Sequence, residues 1–421
     1  MKNRIGRSLI CIAILCAIIA NLGSCIMIRA VDLTDGVTPQ SVTVREDLGY
    51  GNASVTDFAL RLFRETEEGK NTFISPMSVL FALAMTANGA SGETLLQMEQ
   101  TLGMSTDELN EYVYGYLNSL SEGEKVKLKV ANSIWFSDDE YLTVNQSFLQ
   151  KNANYYGAEI YKAPFDATTL WDINAWVNNE TNGMIKRVLD EIPKDAIMYL
   201  INTIAFEAEW PTYYKDHQVR NGVFTKADGT EENAKFMYGT ESRYLEDDNS
   251  VGFIKYYRGG DYAFVALLPN EGIGLSDYLA TLDGEHLSQM LSKPVSATVR
   301  TAIPKFKTEY KTEMSEVLCE MGMPLAFDPN YADFSALGSY DVGEADYNIY
   351  INSVIHKTYI EVGERGTKAG AVTVVEMDKN GSAAPPEDPK QVYLDRPFVY
   401  MIIDTENNIP LFIGTMTDIN G

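Results

Sequence analysis

Apolar residues recur with a helical period through the first part of the chain. The pattern predicts one amphipathic helix over residues 55–68 and a second that begins at Ser75 and Pro76 and extends through Ala90. The second helix is apolar nearly all round, so we expect it at the centre of the fold. Other segments with helical character are 94–102, 106–120, 148–156, 168–188 and 309–321.

Strand patterns dominate the rest of the chain. Polar and apolar residues alternate over residues 125–136, which is typical of a half-buried strand. Further strands are predicted over 198–210, 251–256, 262–268, 297–305, 349–362, 398–404 and 411–416. Because helices come first and mostly antiparallel strands follow, the fold class is predicted to be α+β.

The N-terminus has the pattern of a targeting segment. An apolar run over residues 8–20, too short for an easy membrane span, follows three basic residues, Lys2, Arg4 and Arg7. Residues 1–24 are therefore interpreted as a signal peptide. Its end resembles a bacterial lipobox, in which Cys25 would carry lipid; ordinary secretion is the alternative. Residues 25–50 are expected to be a flexible segment, followed by one domain over 51–421.

The amino-acid composition limits the classes of molecule that the protein is expected to bind. The chain has 59 acidic and 34 basic residues and a formal net charge of −25, so nucleic acids and heparin-like polyanions are poor partners. Of four cysteines, only Cys319 lies within the predicted domain, which rules out a disulfide inside it. We expect Cys319 to be a buried small hydrophobe and the protein to be a monomer secreted to the extracellular space or held at the cell surface.

Enzyme motifs are sparse. The sequence contains no GxSxG, HExxH, CxxC or GxxxxGK[ST] pattern. Two of the three histidines, His217 and His286, lie in polar, loop-like stretches. His356 lies on an apolar strand near Ser353, where a hydrolytic dyad is conceivable, but a core histidine is the favoured interpretation. The sequence therefore predicts no enzyme, no cofactor and no metal site.

Residues 363–397 form a long connection between two strands, and its first half has a strand pattern. No proline occurs between Thr367 and Ala384, and over residues 367–378 every charged residue falls on the same parity as Lys368. The other parity is small or apolar: Thr367, Ala369, Ala371, Thr373, Val375 and Met377. A loop with one strand-like apolar face is suited to insertion between existing strands. An exposed edge hairpin is the alternative.

Eight segments, in order along the chain, carry a family resemblance: Asn71–Ser78, Leu200–Trp210, Ile303–Phe306, Met321–Met323, Ala332–Ser335, Glu364–Ala371, Arg396–Phe398 and Leu411–Gly414. Together they resemble the motifs of the serpins, a family of protease inhibitors, from about residue 55 to 418. The resemblance implies three β-sheets, eight to nine helices and an exposed reactive-centre loop over residues 364–396. It also implies that a protease cleaves this loop and is trapped as an acyl-enzyme when the loop inserts into the central sheet.

The resemblance also implies roles for individual residues. The hinge of the loop would comprise Glu364, Gly366, Thr367, Ala369 and Ala371. A polar cluster under the opening sheet, with a tryptophan where the hinge enters, would comprise Ser75, Ser78, Asn202, His356 and Trp210. Lys368 falls on the outward-facing parity, so it should not block insertion.

The scissile bond is less defined because the loop is longer than the family norm after the hinge. Counting from the hinge gives Asn380–Gly381, within a window that also includes Met377, Asp378, Lys379 and Ser382. Cleavage after Met377 or Val375 would suit an elastase- or chymotrypsin-like serine protease, and cleavage after Lys379 a trypsin-like one. Cleavage after Asn380 would suit a cysteine protease. A serpin scaffold that binds without inhibiting is a further alternative.

Overall fold

A computed structural model describes residues 30–45, 47–120, 126–193, 196–341, 346–367 and 388–420. In this part of the chain the α-helices are α1 Gly49–Thr66, α2 Pro76–Ala87, α3 Gly92–Leu102, α4 Thr106–Ser119, α5 Gln146–Tyr156, α6 Ala167–Glu180, α7 Leu275–Thr281, α8 Gly284–Ser292 and α9 Ser315–Glu320. Short 3₁₀ turns lie at Asp216–Gln218 and Pro324–Phe327.

The strands of the same ranges are β1 Val31–Asp32, β2 Thr72–Ile74, β3 Val126–Ser137, β4 Leu142–Val144, β5 Glu159–Ala163, β6 Met198–Glu209, β7 Val219–Thr225, β8 Glu231–Glu246, β9 Ser250–Tyr256, β10 Tyr262–Pro269, β11 Val295–Pro304, β12 Phe306–Glu313, β13 Gly338–Asp341, β14 Asp346–Tyr347, β15 Ile355–Gly363, β16 Gly366–Thr367, β17 Lys390–Tyr393, β18 Phe398–Asp404 and β19 Ile409–Met416.

These strands form the three sheets that the resemblance implies, and the α+β class is confirmed. Sheet A has the order β1-β5-β3-β6-β16-β15-β12. Sheet B has the order β17-β11-β8-β9-β10-β18-β19-β2, with β7 paired to β8. The small sheet C has the order β14-β13-β4.

Helix α2 lies at the centre of the molecule, as its apolar sequence predicts. Every residue from Pro76 to Ala87 is buried, and the helix packs against β6 of sheet A and β19 of sheet B. Ser75 caps its N-terminus, since the Ser75 hydroxyl oxygen accepts a hydrogen bond from the Ser78 amide at 3.4 Å. The core therefore forms between the two large sheets.

The helix predicted over residues 309–321 is wrong for most of its length. Residues 306–313 form β12, and only Ser315–Glu320 is helical. Along β12 alternate residues point inward, with Phe306 and Thr308 buried and Lys307 exposed. This period of two favours a strand over a helix. The predicted strand over 349–362 is likewise shorter, because β15 begins at Ile355.

Part of the N-terminal segment is docked on the edge of sheet A. Val31 pairs with Lys162 and Asp32 with Tyr161, so β1 covers the edge strand β5. The Leu33 amide continues the contact by donating to the Ile160 carbonyl at 2.7 Å. Pairing of this kind satisfies backbone groups that an uncovered edge strand leaves exposed.

The middle of sheet A is divided. Strands β6 and β15 run in the same direction, and near the start of β6 the described backbone joins them by a parallel bridge between Leu200 and Val354. At the opposite end, the two residues of β16 stand between β6 and β15, antiparallel to both. Each strand is paired on its outer side along nearly its whole length, β6 with β3 and β15 with β12.

Candidate functional site

The candidate site is the point where the chain leaves β15 and turns back into sheet A. After a turn at Glu364 and Arg365, Gly366 lies opposite Gly363 on β15 and Glu209 on β6. Thr367 lies opposite Val362 and Ala208 in the same two strands. Two residues of the predicted hinge, Gly366 and Thr367, are thus already paired on both sides.

Three hydrogen bonds fix the turn that precedes this strand. The Trp210 amide donates to the Arg365 carbonyl at 2.8 Å, and the Tyr214 amide donates to the Glu364 carbonyl at 3.0 Å. The Trp210 indole Nε1–H donates to the Gly363 carbonyl at 2.9 Å. Trp210 therefore lies where the hinge enters the sheet, and its side chain is fully buried.

Gly366 can occupy its place only because it lacks a side chain. Its φ of +149° is a conformation that other residues rarely adopt, and a Cβ there would lie 2.0 Å from the Ala208 carbonyl oxygen. The contact shows how closely the hinge backbone approaches β6. Glycine at this position is thus a steric requirement of the paired hinge.

Thr367 points into the protein interior. It is 2% exposed, and its hydroxyl oxygen lies 2.5 Å from the hydroxyl of Tyr257. Tyr257 stacks on Trp210 with ring centroids 4.5 Å apart, and burial raises the pKa of its hydroxyl. The inward parity predicted from the sequence is confirmed at this first position.

An ion pair holds the turn from outside. The Lys305 ammonium lies 2.6 Å from the Glu364 carboxylate, at the junction of β11 and β12. Partial burial raises the pKa of Glu364, but the hydrogen bond and charge of Lys305, a backbone hydrogen bond and the charge of Lys235 together outweigh it and lower the pKa overall. The Glu364 carboxylate is therefore ionised at neutral pH.

A second polar group lies deeper, beneath the divided centre of sheet A. His356 Nε2 accepts a hydrogen bond from the Ser75 amide at 3.0 Å, and the Ser75 hydroxyl donates to the Leu411 carbonyl at 2.7 Å. Ser78 joins the group through the cap of α2. Asn202 is level with His356, two residues beyond the Leu200–Val354 bridge, while its side chain lies outside the described part.

His356 is neutral because burial lowers its pKa to about 4. Since Nε2 accepts from the Ser75 amide, the imidazole proton resides on Nδ1. The Ser353 hydroxyl donates to the Glu313 carboxylate at 3.3 Å. Both members of the conceivable dyad thus have structural partners, and the prediction of a core histidine is confirmed.

Sequence reasoning missed several residues of the site. Tyr257 and Tyr214 contact the hinge but lie in ordinary polar–apolar stretches, and only tertiary pairing brings them beside Trp210. Their aromatic character next to a strand end was the signal that the sequence offered.

Some predicted site residues lie outside the described part of the chain. They are the hinge residues Ala369 and Ala371, the bond Asn380–Gly381 with its window Met377–Ser382, and Cys25.

Two searches of the described chain bear on other kinds of site. Within it, no three histidine, cysteine, aspartate or glutamate residues are grouped so that they could hold a metal ion. Its helices include none with the length and hydrophobicity of a membrane span. Cys319 is half-buried on α9, and burial raises the pKa of its thiol.

The comparison with protein families agrees with this geometry. The family model for "Serpin (serine protease inhibitor)" matches residues 53–419, which is most of the chain. The chain belongs to the serpin family. Serpins are generally protease inhibitors rather than enzymes, and their targets are proteases.

Solved serpin structures confirm the fold. The native state of the thermophilic serpin tengpin is 43% identical, covers 92% of this chain and 99% of its own, and has a TM-score of 0.87. The latent state of tengpin is 41% identical, covers 91% and 100%, and has a TM-score of 0.78. The present structure is thus more similar to the native state.

Curated relatives come from distant organisms. An uncharacterized serpin-like protein of Thermococcus kodakarensis is 29% identical, and the match covers 86% of this chain and 84% of that protein. Serpin B10 of Bos taurus is 28% identical, with 86% and 97% covered. The match spans almost the whole serpin domain in each case.

Proposed function

We propose that this serpin inhibits a serine protease by inserting its cleaved reactive loop between β6 and β15. The observation that carries the proposal is the position of Gly366 and Thr367, which already stand in that space and pair with both strands. Insertion would extend this pairing along β6 from Ala208 toward Leu200, until the new strand displaces the Leu200–Val354 bridge.

The chemistry of the first step belongs to the protease. Its serine oxygen attacks the carbonyl carbon of the scissile bond, the C–N bond breaks, and the new amine takes a proton. The loop is then held to the protease through an ester, while its C-terminal side is released. The residues after Thr367, freed from that end, can enter sheet A before water hydrolyses the ester.

The driving force comes from the divided sheet. An inserted strand forms backbone hydrogen bonds on both sides, and its inward side chains, which alternate from Thr367 to Met377, are small or apolar. Cleavage thereby releases free energy stored in the uncleaved form, as in other loop-insertion switches. Trp210 and Tyr214 would define the point at which insertion begins.

The residues near the scissile bond suggest which class of protease the loop would attract. We propose an elastase- or chymotrypsin-like serine protease, or a trypsin-like one if cleavage follows Lys379, with Asn380–Gly381 as the bond counted from the hinge. A cysteine protease that cleaves after Asn380 is the alternative. The acidic surface argues against activation by a heparin-like polyanion.

The test is to mix the protein with elastase, trypsin, chymotrypsin, subtilisin and a cysteine protease. A protease complex that survives boiling in detergent, with a released C-terminal fragment whose first residue is sequenced, would support the proposal and identify the bond. Simple cleavage by every protease, with no rise in the melting temperature of the cleaved protein, would refute it. That outcome would indicate a binding scaffold.

A substitution at Thr367 tests the insertion step itself. We expect Thr367→Arg to convert the inhibitor into a substrate, because insertion would bury a guanidinium charge at a position beside Tyr257 where Thr367 is only 2% exposed. Complex yield on denaturing gels should fall at least tenfold while loop cleavage continues. Thr367→Ser, which keeps the hydroxyl, is the matched control. A normal complex yield for Thr367→Arg would contradict insertion of the hinge.

We also propose that the mature protein begins after residue 24 and acts outside the cytoplasm, either secreted or anchored through Cys25. Mass spectrometry of the protein purified from its own cells distinguishes the two. An acylated Cys25 at the N-terminus supports the anchor, whereas an unmodified mature chain in the medium supports secretion. A full-length chain that retains residue 1 would contradict both.

A further inference from the structure

A buried cation lies beside the hinge, on the sheet B side. Lys255, near the end of β9, is only 8% exposed. Its ammonium lies 2.7 Å from the carboxylate of Glu241 on β8. Burial lowers the pKa of Lys255, but Tyr214 and Glu241 outweigh that effect and raise it overall, so the ammonium stays charged.

The same ammonium contacts two aromatic rings. It lies 4.9 Å from the ring centroid of Trp210 and 4.9 Å from that of Tyr214, within the range of cation–π attraction. Lys255 therefore bridges two side chains that follow the end of β6. Tyr257, two residues after Lys255, stacks on Trp210 as well.

These two aromatic residues are the ones that hold the hinge turn. Trp210 binds the carbonyls of Gly363 and Arg365, and Tyr214 binds that of Glu364. The carbonyls of three successive residues are thus held by two residues whose rings share one cation. The Trp210 indole ring itself donates one of the three hydrogen bonds, to the Gly363 carbonyl, whereas the other two come from the backbone amides of Trp210 and Tyr214.

We propose that Lys255 is a positioning residue that, through Trp210 and Tyr214, keeps the hinge at its starting depth and slows insertion of the uncleaved loop. The inference rests on the proposed function, since it concerns the same insertion. It assigns the Lys255–Glu241 pair a role in preserving the active inhibitor, beyond packing between β8 and β9.

Because Lys255 and Glu241 form an ion pair, an effect on the position of the hinge can be tested separately from an effect on the stability of the fold. Replacing both members of a buried ion pair with apolar residues of similar size is often neutral for stability, whereas removing one leaves an unpaired buried charge. Methionine at both positions roughly preserves the side-chain volume and removes both charges of the pair together. The attraction to the two rings is then lost without an unpaired charge.

The experiment compares wild type with Lys255→Met/Glu241→Met in the absence of any protease. Each is held at a temperature where wild type loses inhibitory activity over hours, and the more heat-stable, inactive monomer is followed on native gels. We expect the double variant to convert about tenfold faster, which corresponds to about 1.4 kcal/mol in the barrier.

Three controls make the result decisive. Lys226→Met/Glu232→Met removes a partly buried ion pair between β7 and β8, 2.9 Å apart, together with the contact of Lys226 with Asp418 at 3.1 Å, and should convert at the wild-type rate. Lys255→Arg retains a cation and should remain close to wild type. Tyr214→Leu, which keeps the backbone amide but removes one ring, should accelerate conversion even if the double variant does not fold.

The role of Lys255 would be overturned if Lys255→Met/Glu241→Met and Tyr214→Leu converted at the wild-type rate while wild type still inhibited its protease. Wild type that forms no protease complex and gains no heat stability after loop cleavage would instead overturn the proposed function. The two failures are therefore distinguishable within one set of samples.

Discussion

At the scale of single residues, Gly366 leaves no room for a side chain. We expect Gly366→Ala to push the hinge away from β6, because the new Cβ would meet the Ala208 carbonyl and the backbone would be strained at its φ of +149°. The expected cost is roughly 1–3 kcal/mol in the paired hinge, observed as a lower yield of protease complex.

Gly363→Ala is the matched control, since nothing lies within 4 Å of the Cβ it would add. The control should retain a normal complex yield on denaturing gels. An equal yield for both alanine variants would show that the hinge does not need its close contact with β6.

His356 gives the protein a predicted pH dependence. Its pKa is about 4 in the folded protein and about 6.5 in an unfolded chain, so the unfolded state binds more protons between these values. The contribution of His356 to stability is complete above pH 6.5 and is lost as the pH falls toward 4. The loss between pH 7.5 and pH 5 is about 2 kcal/mol.

Thermal melts of wild type and His356→Asn at pH 7.5 and pH 5 measure this contribution. The variant should be less stable at pH 7.5, and its melting temperature should fall less on acidification, because it has no imidazole to protonate. Identical shifts in the two proteins would exclude His356 as a source of acid sensitivity.

Residue-level prediction from the sequence succeeded where local pattern decided the answer. The burial of His356 followed from its apolar strand, and the inward orientation of Thr367 from its parity in the loop. His286 was expected in a loop but lies on helix α8. The contacts of Lys255 could not be predicted, because they depend on the pairing of β8 with β9 and on where β6 ends.

At the scale of elements, β6 and β15 each carry a glutamate that pairs with a lysine on the strand to its outer side. Lys127 on β3 is level with Glu207 on β6, with an ion-pair distance of 3.8 Å. Lys307 on β12 is level with Glu361 on β15, at 3.0 Å. The two glutamates belong to the strands that the inserted loop would separate.

Continuing the register of Gly366 and Thr367 by one residue would place Lys368 between Glu207 and Glu361 in the inserted form. Cross-strand pairs of opposite charge contribute up to about 1 kcal/mol each, less where solvent screens them. We expect Lys368→Glu to slow insertion by repulsion and to raise several-fold the number of inhibitor molecules cleaved per protease trapped.

Lys368→Gln should be intermediate, and the difference between the two variants should shrink in 1 M salt, where the Debye length is about 3 Å. The measurement is a titration of protease activity with each variant at low and high salt. No difference between Lys368→Glu and wild type at low salt would mean that the loop does not continue in this register.

The elements themselves were predicted unevenly. Helices α1 to α5 and the strands with clear alternation lie close to their predicted ranges, since one periodicity dominates each. Helices α7 and α8 and strands β7 and β8 went unrecognised, and β8 is polar along much of its length. The ranges were confused where polar alternation and helical spacing coincide, as at residues 309–313.

At the scale of the whole molecule, the order of the family motifs along the sequence predicted the serpin fold, whereas hydrophobic periodicity alone did not. Periodicity supported an α+β class, but neither the strand order nor the division of sheet A follows from local pattern. Both depend on pairings between residues far apart in the sequence, such as Leu200 with Val354. The loop was recognisable because its strand pattern conflicts with its position between two strands.

The location of β17, β18 and β19 has a consequence for the cleaved protein. All three strands follow the reactive loop, and β18 and β19 are buried in the interior of sheet B between β10 and β2. The chain beyond the loop contains no cysteine, so after cleavage only noncovalent contacts retain it. A cut molecule is therefore a two-chain complex: once denatured, it must reassemble by a bimolecular encounter, and dilution alone would prevent its recovery.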